Sequence, residues 1–155
     1  MNNKRLASID EMIPIVEERI KNGGSVSFTP MGVSMYPMLR NGMDSVTLSP
    51  APEKLKKYDI PLYRRKNGKY VLHRVVNVGE SYICIGDNQY VTEKGIDHSQ
   101  VIAVVTSFTR KGKCYSADDF CYKVYCRVWN YTRLPRRFLR AVKHRLISVI
   151  KGKNN

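Results

Sequence analysis

Apolar residues follow two different periods along this chain. Ile9, Met12, Ile13, Val16 and Ile20 recur at helical spacing, which predicts an amphipathic helix. Ser8-Ile9-Asp10-Glu11 forms a capping-box pattern in front of it, with Ser8 as cap. Pro14 predicts an early first turn or a kink, and Asn22-Gly23-Gly24 stops the helix. From Ser25 to about Phe108 the period shortens to two, the signature of half-buried strands. Strands are expected at Val26–Phe28, Ser45–Leu48, Tyr82–Ile85 and Val101–Val105. Asp59–Arg65 and Lys69–Val76 flank Lys66-Asn67-Gly68, which predicts a hairpin. So many short strands and turns predict a mainly β fold, a coiled antiparallel sheet or small barrel. After Thr109 the helical period returns, over Ala117–Tyr131 and Pro135–Ile150, broken at Leu134-Pro135. In the second stretch Phe138, Leu139, Val142, Leu146, Ile147 and Ile150 share a face. Arg136, Arg137, Arg140, Lys143 and Arg145 lie largely off it.

These shifts divide the chain into an N-terminal helix (1–24), a β-rich body (25–109) and a basic amphipathic helical tail (110–155). At 155 residues it has room for one core. A single N-terminal helix is too little for a helix-turn-helix head. Charge changes the picture because it is uneven. Residues 1–109 carry 14 Lys/Arg against 11 Asp/Glu, whereas residues 110–155 carry 13 against 2, so +11 of the net +14 lies in the tail. Such a tail suits an anionic membrane surface or a charged helix pair packed on the body, and nucleic acid is the weakest of its readings. No apolar run approaches the ~20 residues that span a bilayer, and Met1-Asn2-Asn3-Lys4-Arg5 leads into no signal-peptide core. The expected location is therefore the cytoplasm, with the tail allowing a peripheral position at the inner membrane face. Cys84, Cys114, Cys121 and Cys126 form no Cys-x-x-Cys pair and have no histidine at zinc-finger spacing, so reduced structural thiols are expected and no metal or cofactor is.

The candidate chemistry lies in Gly32-Val33-Ser34-Met35-Tyr36-Pro37-Met38-Leu39. A serine in a glycine-bounded turn can present its own N–H to a developing oxyanion, but its hydroxyl needs a base. His73, within the strand pattern Val71-Leu72-His73-Arg74-Val75-Val76, is the candidate base. Asp87 in Gly86-Asp87-Asn88 is the candidate acid that orients it. Each residue alone also has an ordinary reading: a turn serine, a core histidine, a turn aspartate. Arg74 reads as an ion-pair partner and Lys69 as exposed. Asp97, His98 and His144 fit a solvated turn and a basic helix face.

Together these stretches carry a resemblance. The Gly32–Leu39 box resembles the nucleophile box of type I signal peptidases and of the LexA-type self-cleaving repressor peptidases. Lys56-Lys57-Tyr58-Asp59-Ile60-Pro61-Leu62-Tyr63-Arg64 is similar to their Lys-Lys-Gly-Asp-Ile-Val strand. Val71–Val76 and Gly86-Asp87-Asn88 follow where later boxes are expected. The resemblance covers roughly residues 25–105. Tyr58 and Pro61 stand in place of a glycine and a branched apolar residue, and Gly42-Met43-Asp44 has one residue inserted in a Gly-Asp box.

His73 rather than lysine at the base position resembles the endoplasmic-reticulum and sporulation-type branch. The resemblance implies a Ser34–His73 peptidase supported by Asp87, with the Ser34 N–H in the oxyanion hole. It implies that Gly32 leaves space for a substrate docked as an extended strand with small residues before the scissile bond. The resulting expectation is a serine endopeptidase cutting a leader or partner protein. A catalytically inactive peptide-binding module of the same fold and a nucleic-acid-associated regulator using the tail are the alternatives.

Overall fold

The computed structural model describes residues 9–152, apart from the side chains of residues 10, 140, 143, 144 and 146–152. The Ser8 cap therefore lies outside the described residues, as do the side chains of Arg140, Lys143, His144, Leu146, Ile147 and Ile150. Helix α1 (Ile9–Lys21) contains Pro14 and buries Ile13 and Val16, the inward members of the predicted face. Strands β1 (Val26–Phe28) and β2 (Ser45–Ser49) pair antiparallel across the serine-bearing loop. β3 (Pro61–Arg64) and β4 (Tyr70–Leu72) form the predicted hairpin, with Gly68 at φ 85° in its turn. β8 (Val101–Arg110) takes β2 along one edge and β3, then β9 (Lys113–Ser116), along the other. The first sheet thus runs β1-β2-β8-β3-β4 with β9 attached to β8.

β5 (Arg74–Val78), β6 (Tyr82–Ile85) and β7 (Glu93–Ile96) make a second, three-stranded antiparallel sheet. The fold is mainly β and antiparallel as expected, but the sheets stay open rather than closing into a barrel. The two sheets meet at His73. The expected continuous strand 69–76 breaks there, and its two halves pair with different partners: β4 with β3, β5 with β6. Tyr58 and Asp59 bridge the gap, the Tyr58 N–H donating to the Val75 carbonyl and the Val75 N–H to the Asp59 carbonyl, both at 2.8 Å. Tyr58 makes this turn at φ 82°, the left-handed conformation that glycine adopts more easily.

Each sheet has its own apolar cluster. Leu48, Leu62, Ala103 and Val46 centre the larger one beneath α1, and Tyr63, Val75 and Cys84 centre the smaller. The sheet runs past the expected boundary at residue 109, because β9 continues to Ser116. Helix α2 (Phe120–Tyr131) then packs Tyr122 and Cys126 into the body. Helix α3 (Arg133–Gly152) starts two residues ahead of Pro135, whose missing N–H falls in the first turn where no intrahelical partner is needed. The helix break is therefore at Thr132 and not at Leu134-Pro135.

Candidate active site

The serine loop is a run of tight turns between β1 and β2. Gly32 has φ 114°, and its N–H donates to Asn41 Oδ1 at 2.8 Å. A Cβ at Gly32 would meet nothing within 4 Å, so the space before it is open. Tyr36 N–H donates to the Val33 carbonyl and Leu39 N–H to the Met35 carbonyl, which turns Met35, Met38 and Leu39 inward to bury. Arg40 and the fully buried Asp44 close the loop, with Nη2 and Oδ1 2.6 Å apart. Burial alone would raise the Asp44 carboxyl, but the hydrogen bonds and charge of Arg40 hold it below its ordinary range. Ser34 is half-buried, and neither its hydroxyl nor its N–H donates a hydrogen bond among the described residues.

Ser34 lines a small cavity of about 160 Å³ together with Gly32, Met35, Leu39, Tyr70 and Leu72. The far members of that set belong to β4, whose next residue is His73. The structure therefore brings Ser34 beside the strand that delivers the predicted base. The hydrogen bonds of His73 run to Tyr63 and Glu93, not to Ser34. In sites without substrate such contacts are commonly loose and tighten on binding.

Asp87 does not orient His73, which corrects the sequence-based assignment. Its carboxylate oxygens accept from Arg74 Nε and Nη2, each at 2.8 Å, in an ion pair whose side chains are 0% and 1% exposed. Burial would lower the Arg74 guanidinium, but the Asp87 charge outweighs it and the group is held well above its ordinary value. Asp87 supports the site through its backbone neighbours instead. Asn88 N–H donates to the Ser34 carbonyl at 2.8 Å, and Asn88 Nδ2 to the Val33 carbonyl at 3.2 Å. A Cβ on Gly86 would lie 2.6 Å from the Ser34 carbonyl oxygen, so only glycine fits. The Gly86-Asp87-Asn88 turn is thus a backbone clamp on the serine loop. Arg74 is the expected ion-pair partner, and Lys69 is exposed as expected.

The acid that meets His73 is Glu93, on β7. Glu93 Oε1 lies 2.9 Å from His73 Nδ1. The same carboxylate accepts from Arg65 Nε at 2.7 Å, from Arg65 Nη2, and from the Tyr63 hydroxyl at 3.0 Å. Burial would raise the Glu93 carboxyl, but the Arg65 bonds, the His73 ring and the Tyr63 hydroxyl together hold it below the ordinary range. An ionised carboxylate only accepts, so Nδ1 carries the histidine proton and Nε2 is left as a free-electron-pair acceptor. Burial pushes the His73 pKa below its ordinary 6.5, partly offset by the Glu93 charge. A buried, neutral imidazole with its Nδ1 tied to an acid is the state a general base needs at neutral pH.

Sequence reading missed Glu93 because Glu93-Lys94-Gly95-Ile96 has no apolar alternation and gives no strand signal. The available clue was that Glu93 is the next acidic residue after Asp87. Of the residues given little weight, His98 meets the Tyr82 hydroxyl at 3.0 Å on an exposed turn. Among the described residues no three His, Cys, Asp or Glu side chains are grouped to hold a metal ion. Neither protein-family models nor curated proteins nor solved structures give a match to this chain.

Proposed function

We propose that this chain is a serine endopeptidase of signal-peptidase type in which Ser34 is the nucleophile, His73 the general base and Glu93 the residue that orients it. The observation that carries this reading is the His73 Nδ1–Glu93 contact at 2.9 Å in a buried setting. It fixes the tautomer that can accept a proton at Nε2. In the proposed step Ser34 Oγ bonds to the carbonyl carbon of the scissile peptide as its proton passes to His73 Nε2. The resulting oxyanion takes hydrogen bonds from the Ser34 N–H, and His73 returns the proton to the departing amine. Water then hydrolyses the acyl-enzyme by the same route.

Two further features support a peptide as substrate. Strand β4 is the outer strand of its sheet, so its second edge can pair with an extended chain running toward His73. The cavity beside Ser34 is mainly apolar and of a size for a small aliphatic side chain. The open space before Gly32 lets a substrate backbone pass.

Incubation with a randomised peptide library, read by mass spectrometry, tests the reading. Wild type should generate new termini after small residues, and Ser34→Ala and His73→Ala should generate none while keeping wild-type circular dichroism. Equal product patterns from wild type and Ser34→Ala would overturn it and favour a binding module of the same architecture.

A further inference from the structure

Helix α2 presents two different faces. Its inner face is occupied: Tyr122 and Cys126 are buried, Tyr125 donates to Asp87 Oδ2 at 3.3 Å, and Trp129 Nε1 donates to the Asp87 carbonyl at 2.9 Å. Its outer face is apolar and open to solvent. Phe120, Val128 and Tyr131 are 80%, 54% and 74% exposed and recur at helical spacing. The apolar exposure continues onto α3, where Leu134, Phe138 and Leu139 are 73%, 69% and 65% exposed.

Such a run of large apolar side chains in water is costly unless something covers it. The surrounding charge decides what can. The segment that carries it holds 13 Lys/Arg against 2 Asp. A second copy of the same segment would bring two charges of +11 together, which opposes self-association. Nucleic acid would satisfy the charge but leave the aromatic and aliphatic side chains uncovered. A bilayer with anionic headgroups satisfies both, because its interface accepts apolar side chains beneath the phosphates. No described helix is long and apolar enough to cross a membrane.

We propose that the outer face of α2 and the described part of α3 form a docking surface for anionic phospholipid bilayers. The helices lie in the interface plane, with Phe120, Tyr131, Leu134 and Phe138 inserted and the exposed Arg127 and Arg137 at headgroup level. The assignment is independent of the peptidase reading.

Flotation of the full chain with vesicles tests it, comparing pure phosphatidylcholine with a mixture containing 30% phosphatidylglycerol as the probe. The expected result is partition onto the anionic vesicles only. Leu134→Ser with Phe138→Ser, which leaves every charge in place, should lower that partition at least about tenfold. Circular dichroism should be unchanged, because both side chains are exposed. Equal partition onto neutral vesicles, or no partition at all, would overturn the proposal. So would undiminished, fully salt-reversible binding by the double variant that random-sequence DNA competes away, since charge alone would then explain it. A wild-type dimer that the same double variant dissociates in sedimentation velocity would reassign the face to a second copy.

Discussion

Replacing Glu93 with glutamine separates the two acids of the site more sharply than any other change. Glutamine keeps the shape of the side chain but can turn its amide NH2 toward His73 Nδ1. That would move the ring proton to Nε2, the atom that has to accept from Ser34. A base locked in the wrong tautomer loses about 10³- to 10⁴-fold in kcat, as in other triads when the acid becomes an amide. The pH profile gives a second readout with a defined sign. Burial lowers the His73 pKa below 6.5, and the Glu93 charge is the largest influence raising it again. Wild type should therefore show an acid limb of kcat/KM below pH 6.5. In Glu93→Gln the residual activity should have its limb at still lower pH, since the raising charge has gone. The assay is steady-state cleavage of a reporter peptide chosen from the library experiment, followed from pH 4 to 9. Wild-type kcat with an unmoved limb in Glu93→Gln would refute the assignment of Glu93 as the orienting acid.

Asp87→Asn should act on stability before chemistry. It leaves the Arg74 charge buried without its partner, at a cost of about 3–5 kcal/mol or roughly 10 °C in Tm for a chain of this size, read by thermal denaturation. Gly86→Ala should keep the fold but lower kcat at least about tenfold, because its Cβ would push on the Ser34 carbonyl from 2.6 Å and displace the nucleophile. Kinetics set beside circular dichroism distinguish that from unfolding. His73 should also link stability to acid. Below pH 6.5 the unfolded chain takes up a proton that the folded, buried ring resists, so its contribution to stability falls as pH drops from 6.5 toward the lowered folded value. Urea midpoints at pH 7.5 and 5.5 should differ more for wild type than for His73→Phe.

Periodicity made the secondary structure legible where residues face one core. The alternation of Val26 with Phe28, or Leu62 with the Asn67-Gly68 turn behind it, places side chains that local pattern dictates. It failed at His73, where an unbroken β-rich run changes sheets. The switch is enforced by Tyr58 and Asp59 binding Val75, a contact across 16 residues or more that no local window contains. It failed again at β7, whose polar sequence is held as a strand by pairing with β6. Ser34 and His73 could be singled out as candidate nucleophile and base because their surrounding stretches are distinctive. The acid in contact with His73 could not, because Asp87 occupies the distinctive stretch and Glu93 the featureless one. Only the geometry shows Arg74 taking the first and His73 the second. The tail was legible as amphipathic helices but not as two-faced. Which of its apolar stripes packs inward depends on Asp87 and Met38 being there to receive Tyr122, Tyr125 and Trp129.

The bond from Trp129 to the Asp87 carbonyl has a consequence in time as well as in space. The two residues are 42 positions apart. A ribosome adding 5–20 residues per second makes them about 2–8 s apart. Throughout that interval a nascent chain already carries Ser34, His73 and Asp87, and Glu93 from six residues on, yet lacks the helix that steadies the turn clamped on Ser34. The proposed hydrolytic centre thus matures late. A growing polypeptide spends its most exposed seconds beside a serine loop that is present but not yet held in place.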